Sequence, residues 1–280
     1  MINRNYYKKY LQYKCEEMLR RRAFVFQAPR HGIEDVLDIG RLFNPDDAIL
    51  DIGANVGQSA IRFRAAFPSA RIVSFEPIAA TYAKLKQNTR GLNIETHNVA
   101  LGPEAKTETM FLTPFSETNS LVRPPESDLL GSEQVKVTTL DQFVRENSIG
   151  PIGLLKIDAE GYDLKVIEGA IHTLAAGAVR FVLVEVGFHP EDERHPLFDK
   201  IRYALAPFGF RVFGIYNQSL EWTGAPSLRF ANALFCRCAN GQVPAENANG
   251  TGSPRHQGSS FSASMAERPA RRFDTPPRPA

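Results

Sequence analysis

The chain has 280 residues, 43% hydrophobic and 23% charged, enough to bury one sizeable core and too many for a small stapled scaffold. Its 33 basic and 31 acidic side chains balance to +2, without the one-sided excess that electrostatic binding to nucleic acid leaves in a composition, so no nucleic-acid partner is expected. Three cysteines, Cys15, Cys236 and Cys238, make neither a disulfide framework nor a paired zinc motif, which points to a reducing cytoplasm.

Residues 1–30 carry Arg4, Lys8, Lys9, Lys14, Arg20, Arg21 and Arg22, with Tyr6, Tyr10 and Tyr13 at helical spacing. The pattern predicts a basic amphipathic helix, packed on the core with a solvated basic face or docked on an anionic surface. Residues 31–240 alternate apolar strands with helices. AILDIG, RIVSFEP, NIETHNVAL, LLKIDAEG, RFVLVEV, FRVFGIY and ANALFCRC read as strands, many apolar on both faces as in a sheet covered by helices. Helices are predicted after Asn55, from Ile78 to Thr89, from Tyr162 to Ala176 and from Pro196 to Phe208. This rhythm gives a mostly parallel α/β sheet closed by an antiparallel hairpin from the last two runs. Residues 241–280, rich in Gly, Pro, Ser and charge, cannot offset their ordering entropy and are expected to be disordered. No run approaches the roughly 18 apolar residues of a spanning helix.

The segment Asp51-Ile52-Gly53-Ala54-Asn55-Val56-Gly57 falls where the first strand gives way to a helix, the place where ligands settle in open α/β sheets. Its spacing is G-x-x-x-G, with Asn55 where dinucleotide folds carry the glycine that admits pyrophosphate. Asp51 adds a carboxylate suited to a ligand bearing ammonium and sulfonium charges, which favours S-adenosylmethionine over NAD. Glu76 closes the second strand, where a carboxylate accepts hydrogen bonds from ribose hydroxyls. The plain alternative is an ordinary strand-to-helix turn.

DIGANVG, FEP, NVALG and LLKIDAEGYDLKVIEGA together resemble the FkbM family of S-adenosylmethionine-dependent methyltransferases over about Pro45 to Cys238. The resemblance implies a class I, Rossmann-like fold: seven strands, helices on both faces and an antiparallel last strand. It implies O-methylation of a small hydroxylated acceptor, a sugar or a secondary metabolite. By the same resemblance Asp51, Gly53, Ala54, Asn55 and Gly57 form the methionine-side loop, Glu76 is the ribose acid, and Asn98 and Val99 lie at the adenine end.

Lys156, Asp158 and Glu160 alternate at the end of LLKIDAEG, so in an extended chain they project to one side. Methyl transfer to a hydroxyl requires alignment of the acceptor and removal of its proton, which makes Asp158 the expected base, Lys156 an orienting or balancing charge, and Glu160 an acceptor ligand. The alternative for Glu160 is to hold a divalent ion with Asp158, but hard cations usually take more oxygen ligands than these two offer, so metal dependence stays open and no metal site is assigned. A structural ion-pair network is the competing reading. Glu185 and His189, at the end of the fifth strand and on its following loop, are candidates for the acceptor pocket. Asn119 and Ser120 are further candidates, within the long polar loop Ser116–Gln134. A scaffold that binds the cofactor without catalysis, and an RNA or protein methyltransferase, remain as rival functions.

Overall fold

Buried Ile49 and Leu154 point to one side of adjacent strands and buried Leu50 and Leu155 to the other, so β1 (Ala48–Ile52) and β7 (Ile152–Ile157) need apolar cover on both faces. The computed structural model describes residues 39–237 apart from 41, 193 and 222–226. The helix predicted for residues 1–30 and the disorder predicted for 241–280 lie outside them.

In chain order, β1 leads through α1 (Gln58–Ala66) to β2 (Ile72–Phe75), and α2 (Ala79–Asn88) leads to β3 (Ile94–His97). A small sheet follows, built from β4 (Ala100–Leu101), β5 (Lys106–Leu112) and β6 (Gly131–Thr138), and α3 (Leu140–Glu146) returns the chain to β7. Beyond β7 come α4 (Asp163–Glu168), α5 (Ile171–Ala175), β8 (Val179–Gly187), α6 (Phe198–Leu205), β9 (Phe210–Glu221) and β10 (Ser227–Arg237).

The main sheet has seven strands in the order β3-β2-β1-β7-β8-β10-β9, with β10 alone running opposite to the other six. This is the expected mostly parallel sheet with its antiparallel terminal hairpin. Ala60 and Phe63 of α1 cover one face with Ile49, Ile72 and Leu154. Phe143, Val166, Leu174 and Ile201, from α3 to α6, cover the other with Leu50, Val73 and Leu155. Strand order reverses at β1: the chain runs outward to β2 and β3, then returns to β7 and β8 on the other side. The helices after β1 and β7 therefore leave toward opposite faces of the sheet, and the crevice in which such folds hold ligands lies above the strand ends at this point.

Three expectations are corrected. NIETHNVAL is not one strand; β3 stops at His97 and Ala100–Leu101 pairs with β6 in the second sheet. The cause is Asn98, whose Nδ2 donates to the carbonyls of Glu76 (2.9 Å) and Pro77 (2.8 Å) and draws the chain off the sheet. The helix read from Tyr162 to Ala176 divides after Glu168: the Gly169 carbonyl accepts from the Asp141 amide (3.0 Å), and the Asp141 carboxylate accepts from the amides of His172 (2.9 Å) and Thr173 (2.7 Å), which opens a new helix. Ser116–Gln134 is not loop throughout: it contains two short 3-10 turns, and its end opens β6.

Candidate functional site

The turn after β1 is left-handed at Gly53 (φ +75°), Asn55 (φ +46°) and Gly57 (φ +100°), and it brings the chain directly against the turn after β7. A Cβ on Gly53 would lie 1.9 Å from the Asp158 carbonyl oxygen, so only glycine permits this approach. Asn55 N–H donates to Glu76 Oε2 (3.1 Å) and Ile78 N–H to Glu76 Oε1 (2.9 Å). The Glu76 carboxylate thus joins the loops after β1 and β2. Burial, only partly offset by these two amides, raises its pKa to about 7.

Asp51 does not line the cavity. It is fully buried under the turn, and Lys156 Nζ stands 3.2 Å from its Oδ1 without good hydrogen-bond geometry. Burial raises the Asp51 pKa against the opposing pull of Lys156. Burial also acts to lower the Lys156 pKa, but the carboxylates of Asp158 and Asp51 together outweigh it and hold the ammonium charged. In place of the expected ligand-facing carboxylate the structure shows Asp51 as a buried counter-ion, because the β1–β7 register sets it beside Lys156 on the same face of the sheet.

The turn after β7 is over-determined. Asp158 N–H donates to the Ile52 carbonyl (3.1 Å), Asp163 accepts from the amides of Ala159 (3.0 Å) and Gly161 (3.1 Å), and Ser120 Oγ donates to the Glu160 carbonyl (2.6 Å). Together they hold Glu160 in a left-handed conformation (φ +49°). Lys156, Asp158 and Glu160 do reach one cavity, though Glu160 arrives through this turn and not as the next outward residue of an extended strand. Lys156 Nζ lies 3.1 Å from Asp158 Oδ2, and Arg194 Nη2 lies 3.3 Å from Glu160 Oε2.

Carboxylate oxygens of Asp158, Glu160 and Glu185 come within 4.8 Å of one another. Lys156 and Arg194 stand against the first two, and His195 Nε2 is 3.5 Å from Glu185 Oε2. Lys156 is shared with Asp51 and His195 with Asp192, so in these pairs three cations face five acids and the group keeps a negative excess. Burial acts to lower the His195 pKa, but Glu185 and Asp192 outweigh it and raise the value to about 9.

The predicted residues divide clearly. Gly53, Ala54, Asn55, Glu76 and Val99 line the cavity beneath the β1 and β2 loops, and Asn119 overhangs it. Asn119 Oδ1 accepts from the Thr113 amide (2.8 Å), so that side chain also braces its own loop. Ser120 spends its hydroxyl on the backbone, and Asn98 and Gly57 shape loops from outside the lining. His189 Nε2 meets Ser227 Oγ (3.0 Å) at the hairpin, outside the cavity lining; Glu185 also lies outside the lining, within 4.8 Å of the Asp158 and Glu160 carboxylates, with His195, six residues beyond His189, against it. Sequence reading also missed Ser116, whose hydroxyl reaches Asn55 Oδ1 (3.3 Å), and Arg194. Loop charge alone gave no sign that Arg194 folds back over β7.

The methyltransferase FkbM domain matches residues 51–212, more than half of the chain. The chain belongs to the FkbM methyltransferase family. Its cofactor is accordingly S-adenosylmethionine rather than a nicotinamide dinucleotide. Methyltransferase 1 of Beauveria bassiana is 27% identical over 45% of this chain and 59% of its own length. The hexuronic acid methyltransferase AglP of Haloferax volcanii is 25% identical over 52% of this chain and 59% of its own. The 2-O-methyltransferase NoeI of Sinorhizobium fredii is 27% identical over 64% and 80%. The chain therefore spans under two thirds of the first two relatives.

Proposed function

We propose that this protein transfers a methyl group from S-adenosylmethionine to a hydroxyl of a small acceptor, a sugar unit or a secondary metabolite. The observation that carries the proposal is the meeting, in one crevice at the strand-order reversal, of the Gly53 turn, the Glu76 carboxylate and the charged turn after β7. The donor set suits the cofactor chemically. Glu76 has lone pairs left for ribose hydroxyls; Val99, Leu101, Met110 and Leu121 supply an apolar lining for a heteroaromatic base; Asp158 and Glu160 favour a ligand carrying positive charge.

When bound, the cofactor supplies a methyl group on a sulfonium leaving group. The chain has to position the acceptor oxygen and take its proton. Lys156 fixes Asp158, while Arg194 and His195 fix Glu160 and Glu185, giving the acceptor side a rigid set of hydrogen-bond acceptors for hydroxyl groups. The hexuronic acid named for AglP supports a sugar acceptor, and the 2-O named for NoeI supports transfer to oxygen. We place the enzyme in the cytoplasm on its cysteine usage, three residues without a disulfide framework. Among the described residues no helix is long and apolar enough to cross a membrane.

Calorimetry with S-adenosylhomocysteine should give a saturable heat. Incubation with methyl-labelled S-adenosylmethionine and a small-molecule cell extract should move label into base-stable ether linkages. Absence of binding heat overturns the proposal; binding without label transfer to any extract favours the non-catalytic scaffold.

A further inference from the structure

The site holds two carboxylates able to receive the acceptor's proton, Asp158 and Glu160, and their surroundings differ. Asp158 is committed to Lys156 Nζ, and that ammonium is itself buried and must neutralise Asp51. A proton placed on Asp158 would remove one of two negative charges that keep the buried ammonium stable. Glu160 faces Asp158 from the end of β7, Glu185 from β8 and Arg194 from the loop before α6. A proton placed there relieves repulsion from two neighbouring carboxylates. Among the described residues its paired cation is Arg194, which is 54% exposed, so solvent screens that attraction and it opposes a proton on Glu160 only weakly.

Backbone geometry points the same way. A glutamate at φ +49° is unfavourable, and three separate hydrogen-bonded supports, from Ser120, Asp163 and Ile52, keep this turn in place. A side chain needed only for an ion pair would not require its backbone to be strained into the cavity.

Building on the methyl-transfer reading, we propose that Glu160, rather than Asp158, is the general base that takes the acceptor hydroxyl's proton, with Arg194 as a positioning residue that tunes it. The acceptor O–H bond breaks toward Glu160 Oε as the oxygen's electron pair forms the bond to the methyl carbon. The carbon–sulfur pair stays on sulfur, leaving a neutral thioether and a protonated Glu160. Burial and the Asp158 charge raise the Glu160 pKa to about 7 against the pull of Arg194, a value matched to proton transfer near neutrality.

The test begins without any acceptor. Glutamate carboxyl-13C-labelled full-length protein is titrated by NMR, with Glu160→Gln assigning the signal. The expected inflection lies near 7, and Arg194→Ala should move it upward; an inflection near the ordinary 4.5 overturns the proposal. Turnover is then followed over pH on the extract fraction that accepts label. Glu160→Gln should lose about 100-fold or more in turnover and abolish the inflection, whereas Asp158→Asn should be slower and retain it. Loss of the inflection in Asp158→Asn with its retention in Glu160→Gln returns the role to Asp158. Calorimetry with S-adenosylhomocysteine separates the two claims: no heat with wild type sinks the methyltransferase reading, while normal heat with a low Glu160 inflection sinks only the base assignment.

Discussion

Replacing Gly53 with alanine tests whether contact between the β1 and β7 turns builds the site. The new Cβ would stand 1.9 Å from the Asp158 carbonyl oxygen and 2.9 Å from its carbon, both backbone atoms with no rotamer to escape into. Reaching ordinary contact requires the turns to part by about 1.5 Å. That displacement breaks the Asp158 N–H bond to the Ile52 carbonyl, about 1 kcal/mol, and alanine at φ +75° adds about 1–2 kcal/mol. With the packing strain of the opened crevice the total reaches about 3–5 kcal/mol, the range of severe single substitutions. At about 2–4 °C per kcal/mol for a domain of this size, Tm should fall by about 10 °C. Differential scanning calorimetry measures this, and titration with S-adenosylhomocysteine should show affinity lost in the same variant. A Tm within about 2 °C of wild type together with unchanged binding would refute the reasoning.

Lys156→Met strands Asp51 as an uncompensated buried charge and should cost about 3–5 kcal/mol in urea unfolding, with Asp51→Leu/Lys156→Met recovering most of it; a single variant as stable as wild type contradicts this. His195 has a folded pKa of about 9 against an ordinary 6.5, so its stabilising contribution is complete below about pH 6.5 and lost as the pH rises toward 9. Wild-type Tm should therefore fall more steeply than that of His195→Gln across that interval, and parallel curves would exclude the Glu185–His195–Asp192 interaction as a source of stability. Ser120→Ala leaves the Glu160 carbonyl and the Val122 amide without a partner and should cost about 1–3 kcal/mol in denaturant unfolding with donor affinity preserved. Weakened donor binding would mean that Ser120 serves the ligand directly. Glu76→Gln should weaken S-adenosylhomocysteine at least about tenfold by calorimetry, and wild-type affinity should decline as pH falls below about 7, where the free carboxyl gains its proton; pH-independent binding excludes Glu76 as a charged ligand contact.

The central strands of the main sheet were legible because burial on both faces leaves continuous apolar runs such as FVLV, and Gly53 was legible as part of the glycine turn that follows the first of them. The second sheet was not. In β5 only Met110 is buried, and in β6 only Val135 and Val137, so neither strand carries a strong apolar signature. Helix α3 did carry a signal that was missed: Thr139 caps it by accepting from the Gln142 amide, and Thr-Leu-Asp-Gln has the spacing of a capping box.

From residue order alone come the mostly parallel α/β class, the place of the glycine turn after β1 and the presence of ionisable groups after β7, because each depends on local periodicity and turn chemistry. Tertiary structure alone decided what those groups face. It turned Asp51 toward Lys156 and away from the cavity, and it brought Arg194 and His195 onto Glu160 and Glu185. The partner of a charge, and hence its chemistry, is set by distances across the fold, and linear spacing does not encode them.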